Sequence, residues 1–389
     1  MWQGLMAVVV MVGLNGCATT MAFNPVPAKA VARAQLAGFT NIRVWGDAKP
    51  AEAAALLEAR APSFVTAATG MPFKSHSNEY AYLALSGGGS NGAYGAGLLV
   101  GWTASRQRPA FKVVTGVSTG ALAAPFAFLG SSYDGKLREI YTQYSTNDLG
   151  SQHLFAALLG GPSLIDSQGL ETLLERYVDG HVLSAIAREH ERGRRLLVTT
   201  TNVEAERQVI WNLGAIAASR HPSALSLFRR ILLASAAVPG VFPPVLIKVV
   251  ADGQEFEEMH ADGGMVGQVF FVPPKQLALS AMSSAGGAVP TLYVIRNGKL
   301  GPEYQSVTPT GLEIAGRSLG TLIKNQARGD LERLSGIAAQ AGMSFKLAAI
   351  PATFTAISEE PFDRAYMRKL FDLGNQQART GYIWAKAPP

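Results

Sequence analysis

The sequence predicts an α/β fold with a mostly parallel central sheet flanked by helices. Three observations carry this reading. From Glu79 onward, short apolar runs alternate with helical stretches, the βαβα order of a parallel sheet. A run of glycines, Gly87 to Gly92, lies between the first such strand and its helix. A second strand passes into a helix through Gly116-Val117-Ser118-Thr119-Gly120. Composition agrees: of 389 residues, 48% are hydrophobic and 16% charged, too apolar for disorder to dominate. The 41 glycines and 21 prolines promise many loops but follow no Gly-X-Y period.

Residues 18–78 are Ala-rich and punctuated by proline, with one predicted strand (Asn41 to Trp45) and one predicted helix (Ala51 to Ala61). Tyr80 to Leu85 is a short apolar run before the glycines and reads as a buried strand. Ala93 to Trp102 reads as a helix, Phe111 to Thr115 as a second strand, and Ala121 to Leu129 as a helix that Pro125 should kink. Helices near Leu137 to Tyr144 and Val182 to Arg192 follow, then strands at Arg195 to Thr200 and Gln208 to Leu213, and a helix at Ala224 to Ala236. The apolar stretch Val238 to Val250 has two readings, a buried strand or a lipid-facing lip. Phe256 to Ala261 and Leu292 to Ile295 read as a later strand pair. Residues 311–343 look helical, Phe345 to Ile350 extended, and Asp363 to Trp384 helical. The expected organisation is a leader over 1–16, a tether and lead-in over 17–78, a main domain over 79–300, and a mainly helical extension over 301–389 packed on it.

Charge and cysteine narrow the function classes. The 34 Lys and Arg exceed the 28 Asp and Glu by six, in short clusters such as Arg192, Arg194 and Arg195. A nucleic-acid binder concentrates such charge, so no nucleic-acid partner is expected. One cysteine excludes an internal disulfide framework, a Cys-based zinc site and an iron–sulfur cluster. No histidine pair or carboxylate cluster has ligand spacing, so neither a metal nor another cofactor is expected. The cysteine, Cys17, follows the apolar run Leu5 to Leu14, which is the length of a signal-peptide core and too short to span a bilayer. Leu14-Asn15-Gly16-Cys17 resembles the lipobox of bacterial lipoproteins, apart from Asn15 and the lack of Lys or Arg before it. That resemblance implies a lipid anchor on Cys17 and a membrane-anchored place in the bacterial cell envelope, on the periplasmic side of the outer membrane. The alternative is a buried free cysteine. Oligomeric state is not legible.

Ser86-Gly87-Gly88-Gly89-Ser90-Asn91-Gly92 reads in three ways. Gly87, Gly89 and Gly92 match a dinucleotide fingerprint, but Phe111 to Ser118 holds no acid for a ribose, which argues against nicotinamide. Gly88-x-Ser90-x-Gly92 matches the serine-hydrolase elbow, as does Gly116-x-Ser118-x-Gly120. The elbow needs its serine on a sharp turn directly between strand and helix. Ser118 fits, whereas Ser90 lies three glycines past its strand. The glycine run then suits an oxyanion hole, because bare backbone N–H groups at a helix start can face a developing negative charge. A packing turn is the other reading of these glycines.

A nucleophilic serine needs a base. Among six histidines, only His260 sits where a Ser…acid…His triad would place one, with about 130 residues after it. Asp262 ends the same strand and is followed by Gly263-Gly264, so its carboxylate can lie in a bare backbone pocket beside Ser118. Both candidates stand on residue types alone.

The glycine loop Gly87 to Gly92, the elbow Gly116 to Gly120, Ala234-Ser235-Ala236-Ala237-Val238-Pro239-Gly240-Val241-Phe242-Pro243-Pro244 and Asp262-Gly263-Gly264 together resemble the patatin-like phospholipase family. The likeness covers roughly Glu79 to Ile295. It implies a three-layer patatin-like α/β fold and a lipid acyl hydrolase acting on a lipid ester. It implies Ser118 as nucleophile, Asp262 as its dyad partner, and the amides of Gly88 and Gly89 as the oxyanion hole. The family's glycine loop usually carries Arg or Lys where this chain has Asn91. The rival expectations are an acyltransferase or a Ser-His-Asp esterase using the same serine, and a non-catalytic lipid-binding envelope lipoprotein.

Overall fold

A computed structural model describes residues 23–58, 80–150, 165–272 and 289–389. The predicted leader and Cys17 lie outside these residues, as do positions 59–61 of the first predicted helix. The first described elements are β1 (Arg43–Trp45), α1 (Pro50–Glu58) and β2 (Ala81–Leu85). Next come α2 (Gly92–Ala104), β3 (Phe111–Gly116), α3 (Thr119–Leu129), α4 (Asp134–Gln143) and α5 (Thr146–Leu149). They are followed by α6 (Gln168–Tyr177), α7 (Gly180–Glu191), β4 (Arg195–Asn202), β5 (Arg207–Asn212), α8 (Leu213–Ala218) and α9 (Ala224–Ser235). The remainder comprises β6 (Val245–Ala251), β7 (Gln254–Asp262), β8 (Thr291–Arg296), α10 (Gly311–Gln340), β9 (Ser344–Ala349) and α11 (Arg364–Arg379).

One sheet holds all the described strands, in the order β1-β5-β4-β3-β2-β8-β9, with β7 attached to β4 and β6 attached to β7. The stretch from β4 to β9 is parallel throughout. Both faces of its central strands are covered, which is why their sequences are apolar without alternation. Leu83, Leu85, Tyr293 and Ile295 pack into a core formed with α2, α3 and α11. Tyr82, Ala84, Leu292 and Val294 pack on the other face against Leu56, Leu331, Leu334 and residues 269–272. The result is a helix–sheet–helix sandwich, the expected three-layer α/β architecture. Among the described residues no helix is long and apolar enough to cross a membrane.

The attachment of β7 positions the site. Along one edge of β4, Arg195 to Val198 pair with β3, and Thr200 to Asn202 pair with β7. Gly116 is registered opposite Val198, and Asp262 opposite Thr200. The end of β3 and the end of β7 therefore meet on the same edge, two residues apart, or ~7 Å at strand rise.

Several boundaries differ from expectation. Val245 to Val250 lies in β6, with Val245, Leu246, Ile247 and Val249 buried, so this half of the apolar stretch is strand and not a lipid-facing lip. Phe256 to Ala261 and Leu292 to Ile295 are both strands but not partners: the first belongs to β7, beside β4 and β6, and the second to β8, between β2 and β9. The last helix stops at Arg379, short of Trp384. The chain turns at Gly381 (φ 95°), and Ala385 returns to bridge Leu347. Trp384 then packs against Trp102 with ring centroids 4.8 Å apart, a contact a continued helix would forgo. α6 was not anticipated, although Leu170, Leu173, Leu174 and Tyr177 fall at helical spacing.

Candidate active site

The strand-to-helix turn after β3 is sharp. Ser118 has φ 54° and ψ −126°, a backbone state that non-glycine residues rarely occupy and that persists only where neighbours enforce it. Val117 N–H donates to Leu85 O (3.2 Å), and Ser118 N–H donates to the Ser235 hydroxyl (3.1 Å). The flanking glycines are needed for closeness. A Cβ at Gly116 would lie 2.5 Å from Gly120 O, and one at Gly120 would lie 2.5 Å from Leu85 O. Ser118 is thereby held at the start of α3, with its side chain buried.

Asp262 lies at the end of β7, 4% exposed. Its Oδ1 accepts from Gly264 N–H at 2.6 Å. Its Oδ2 is buried and has no hydrogen-bond partner among the described residues. Burial pushes this carboxyl up to about 7, against the smaller opposing effects of Ser118 and Gly264, which favour the charged form. Ser118 thus lies close enough to act on the carboxylate, while Oδ2 keeps an unused acceptor position.

His260, the other candidate base, is spoken for. Its Nδ1 lies 2.8 Å from Thr200 Oγ1, and its Nε2 lies 3.1 Å from Glu258 Oε2. Trp211 Nε1 donates to the same threonine oxygen at 2.8 Å, so the threonine hydroxyl is free to donate to Nδ1, which leaves the imidazole proton on Nε2. Arg43 pairs with Glu258 at 2.5 Å, and against the raising effect of burial the hydrogen bonds from His260 and Arg43 hold that carboxylate down at about 2. Burial pushes the His260 imidazole down, toward the neutral form. With both ring nitrogens engaged, His260 has none left for Ser118.

The glycine loop adjoins the elbow: a Cβ at Gly87 would lie 3.2 Å from Ser118 Cβ. Gly88 (φ 156°) passes so near β8 that a Cβ there would sit 2.1 Å from Asn297 O. The N–H groups of Gly88 and Gly89 have no acceptor among the described residues, whereas Gly87 N–H donates to Gln268 O at 2.9 Å. Ser90 lies in the short helical turn Gly89–Asn91. Asn91 accepts a 2.7 Å hydrogen bond from the Tyr366 hydroxyl of α11.

Ser118 and Gly89 form part of the wall of an apolar cavity. Its remaining wall is almost wholly apolar, with Leu122, Phe126, Leu170, Leu174, Phe242 and Met367, and among the described residues no charged side chain lines it. Such a lining suits a hydrocarbon chain.

Supporting residues that the sequence reading did not single out come from distant segments. Gln268 ties the glycine loop to the turn after Asp262, accepting from Gly87 N–H and donating from Nε2 to Gly264 O (2.8 Å). Asp330 of α10 accepts from Gln268 N–H at 2.7 Å. Arg296 and Asn297 hold Ser86 and Gly87 from the end of β8. Ser235 belongs to the Ala234 to Pro244 segment, but nothing in its spacing points to Ser118.

Residues 83–273 match the family model described as patatin-like phospholipase, a span that contains Gly88, Gly89, Ser118 and Asp262. No curated protein matches the chain. Among solved structures, VipD from Legionella pneumophila is 12% identical, covering 79% of this chain and 68% of its own, with a TM-score of 0.35. The type III effector protein ExoU is 14% identical, covering 80% and 55%, with a TM-score of 0.21. Over residues 83–273, the chain is thus similar to the patatin-like phospholipase family.

Proposed function

We propose that the protein is a serine lipid acyl hydrolase working through a Ser118–Asp262 dyad. The match of residues 83–273 to the patatin-like phospholipase family model supports lipid ester hydrolysis in general. The observation that carries the finer reading is the unpartnered Oδ2 of a fully buried Asp262 beside Ser118, at the wall of an uncharged apolar cavity.

An acyl chain enters the cavity and brings its ester carbonyl to Ser118. Ser118 Oγ attacks the carbonyl carbon while Asp262 accepts the hydroxyl proton. With its carboxyl raised to about 7, Asp262 is a far better base than an ordinary carboxylate and is still substantially ionised at neutral pH. The tetrahedral oxyanion is held by the free N–H groups of Gly88 and Gly89. Collapse breaks the ester C–O bond, and Asp262 returns its proton to the leaving alcohol. Water then repeats the sequence on the acyl-serine: Asp262 takes a water proton, the C–O bond to Ser118 breaks, and the proton returns to Ser118 as the fatty acid leaves.

We also propose that Cys17 is lipidated and keeps the enzyme at the cell envelope, on the strength of Leu14 to Cys17. Radiolabelled fatty acid should enter the wild type and not a Cys17→Ser variant; equal labelling of both would refute it. For the activity, purified protein should release fatty acid from phospholipid or long-chain ester, and Ser118→Ala should not. Full activity in Ser118→Ala would overturn the assignment.

A further inference from the structure

We propose that Arg296 is a positioning residue of the oxyanion hole, acting through the Gly87–Gly88 peptide to aim and polarise the Gly88 N–H. This rests on the reading of the site given above.

Arg296 is the last residue of β8, and its side chain is 5% exposed. Nη1 donates to Gly87 O at 2.9 Å and to the Ser86 hydroxyl at 3.2 Å. The Ser86 hydroxyl donates to the same Gly87 O at 2.7 Å. Asn297 completes the clamp: its N–H donates to Ser86 Oγ (2.8 Å) and its Nδ2 donates to Ser86 O (2.8 Å). Among the described residues, no carboxylate lies within ion-pair distance of Arg296. Asp330 acts on it only from farther away, and burial pulls the guanidinium down to about 10. A buried cation without an ion-pair partner is costly. This one spends its hydrogen bonds on the glycine loop.

The geometry gives that expense a use. The chain has no cis peptide bonds among its described residues, so the Gly88 N–H points opposite to Gly87 C=O, away from Arg296. A guanidinium on the carbonyl side fixes the peptide plane and withdraws electron density from it, making the N–H a better donor. That N–H has no acceptor among the described residues. The positive charge therefore reaches the oxyanion through one peptide unit, without itself entering the apolar cavity.

The test is steady-state hydrolysis of p-nitrophenyl butyrate by the full chain and by Arg296→Met, Arg296→Lys and Ser86→Ala, with thermal melts to establish folding. Turnover that survives Ser118→Ala overturns the site reading and this one with it; turnover abolished by Ser118→Ala leaves Arg296 to be judged separately. Arg296→Met should lower kcat about 10- to 100-fold with KM within about twofold, a fraction of what losing a direct oxyanion donor costs. Arg296→Lys, which keeps the charge, should recover most of that loss. Ser86→Ala should lower kcat about threefold to tenfold with KM unchanged, and decides the matter should Arg296→Met not fold. A folded Arg296→Met with kcat within twofold of wild type, a loss confined to KM, or equal losses in the Met and Lys variants would overturn the proposal.

Discussion

Ser118 and Asp262 are brought together by β4. The strand that leads to the serine and the strand that ends in the aspartate share one edge of it, with Gly116 opposite Val198 and Asp262 opposite Thr200. One long-range pairing thus places the serine at a strained turn next to a carboxylate whose Oδ2 has no hydrogen-bond partner among the described residues.

The first prediction is a pH dependence. Asp262 must be ionised to accept a proton, and burial has moved it up to about 7. kcat/KM on a soluble ester should rise about tenfold per pH unit below about pH 6 and level off above about pH 8. A flat profile between pH 5 and 8 would show that this carboxyl is not the base.

The same shift has a cost in stability. A carboxyl whose folded value lies above its unfolded 3.8 destabilises the fold as pH rises from 3.8 to about 7, since the unfolded chain loses its proton first. Asp262→Asn should therefore be inactive yet more stable than wild type at pH 8, by up to about 4 kcal/mol. The gap should close below pH 4, where both states hold the proton. Parallel denaturation of the two proteins at pH 4 and pH 8 measures it, and a variant less stable at pH 8 would contradict it.

Gly88→Ala should be severe. The new methyl would meet Asn297 O at 2.1 Å, at a φ of 156° that side chains resist. Activity should fall by at least about a hundredfold, as for losing an oxyanion donor outright. Esterase assays on folded variant measure this; near-normal turnover would remove Gly88 from the oxyanion hole.

Chain-length preference should follow the cavity wall. Leu174→Trp fills space beside the apolar lining of the site. It should cut kcat/KM for a p-nitrophenyl decanoate by about tenfold or more while sparing the acetate, because each methylene left unburied forfeits ~0.8 kcal/mol. Equal effects on both esters would place the acyl chain elsewhere.

The α/β order and the elbow were legible because both are local: a buried strand, a turn and a helix each leave their pattern in neighbouring residues. The choice between His260 and Asp262 was not. They stand two residues apart on one strand; the family resemblance points to Asp262, and the engagement of His260 by Thr200 and Glu258 agrees with it. Gln268, Arg296 and Asp330 were illegible for the same reason, since each reaches the loops from a segment remote in sequence. α6 is legible in the helical spacing of Leu170, Leu173, Leu174 and Tyr177. The end of α11 was set by Gly381 and by the Ala385–Leu347 bridge, a tertiary contact that helical pattern does not encode.

The most direct measurement is labelling with a fluorophosphonate probe followed by peptide mass spectrometry, on wild type, Asp262→Asn and His260→Gln. The account predicts a single adduct at Ser118 in wild type, strongly slowed labelling in Asp262→Asn, and a folded His260→Gln that labels at the wild-type rate. An adduct at Ser90, or labelling lost in His260→Gln and kept in Asp262→Asn, would contradict it.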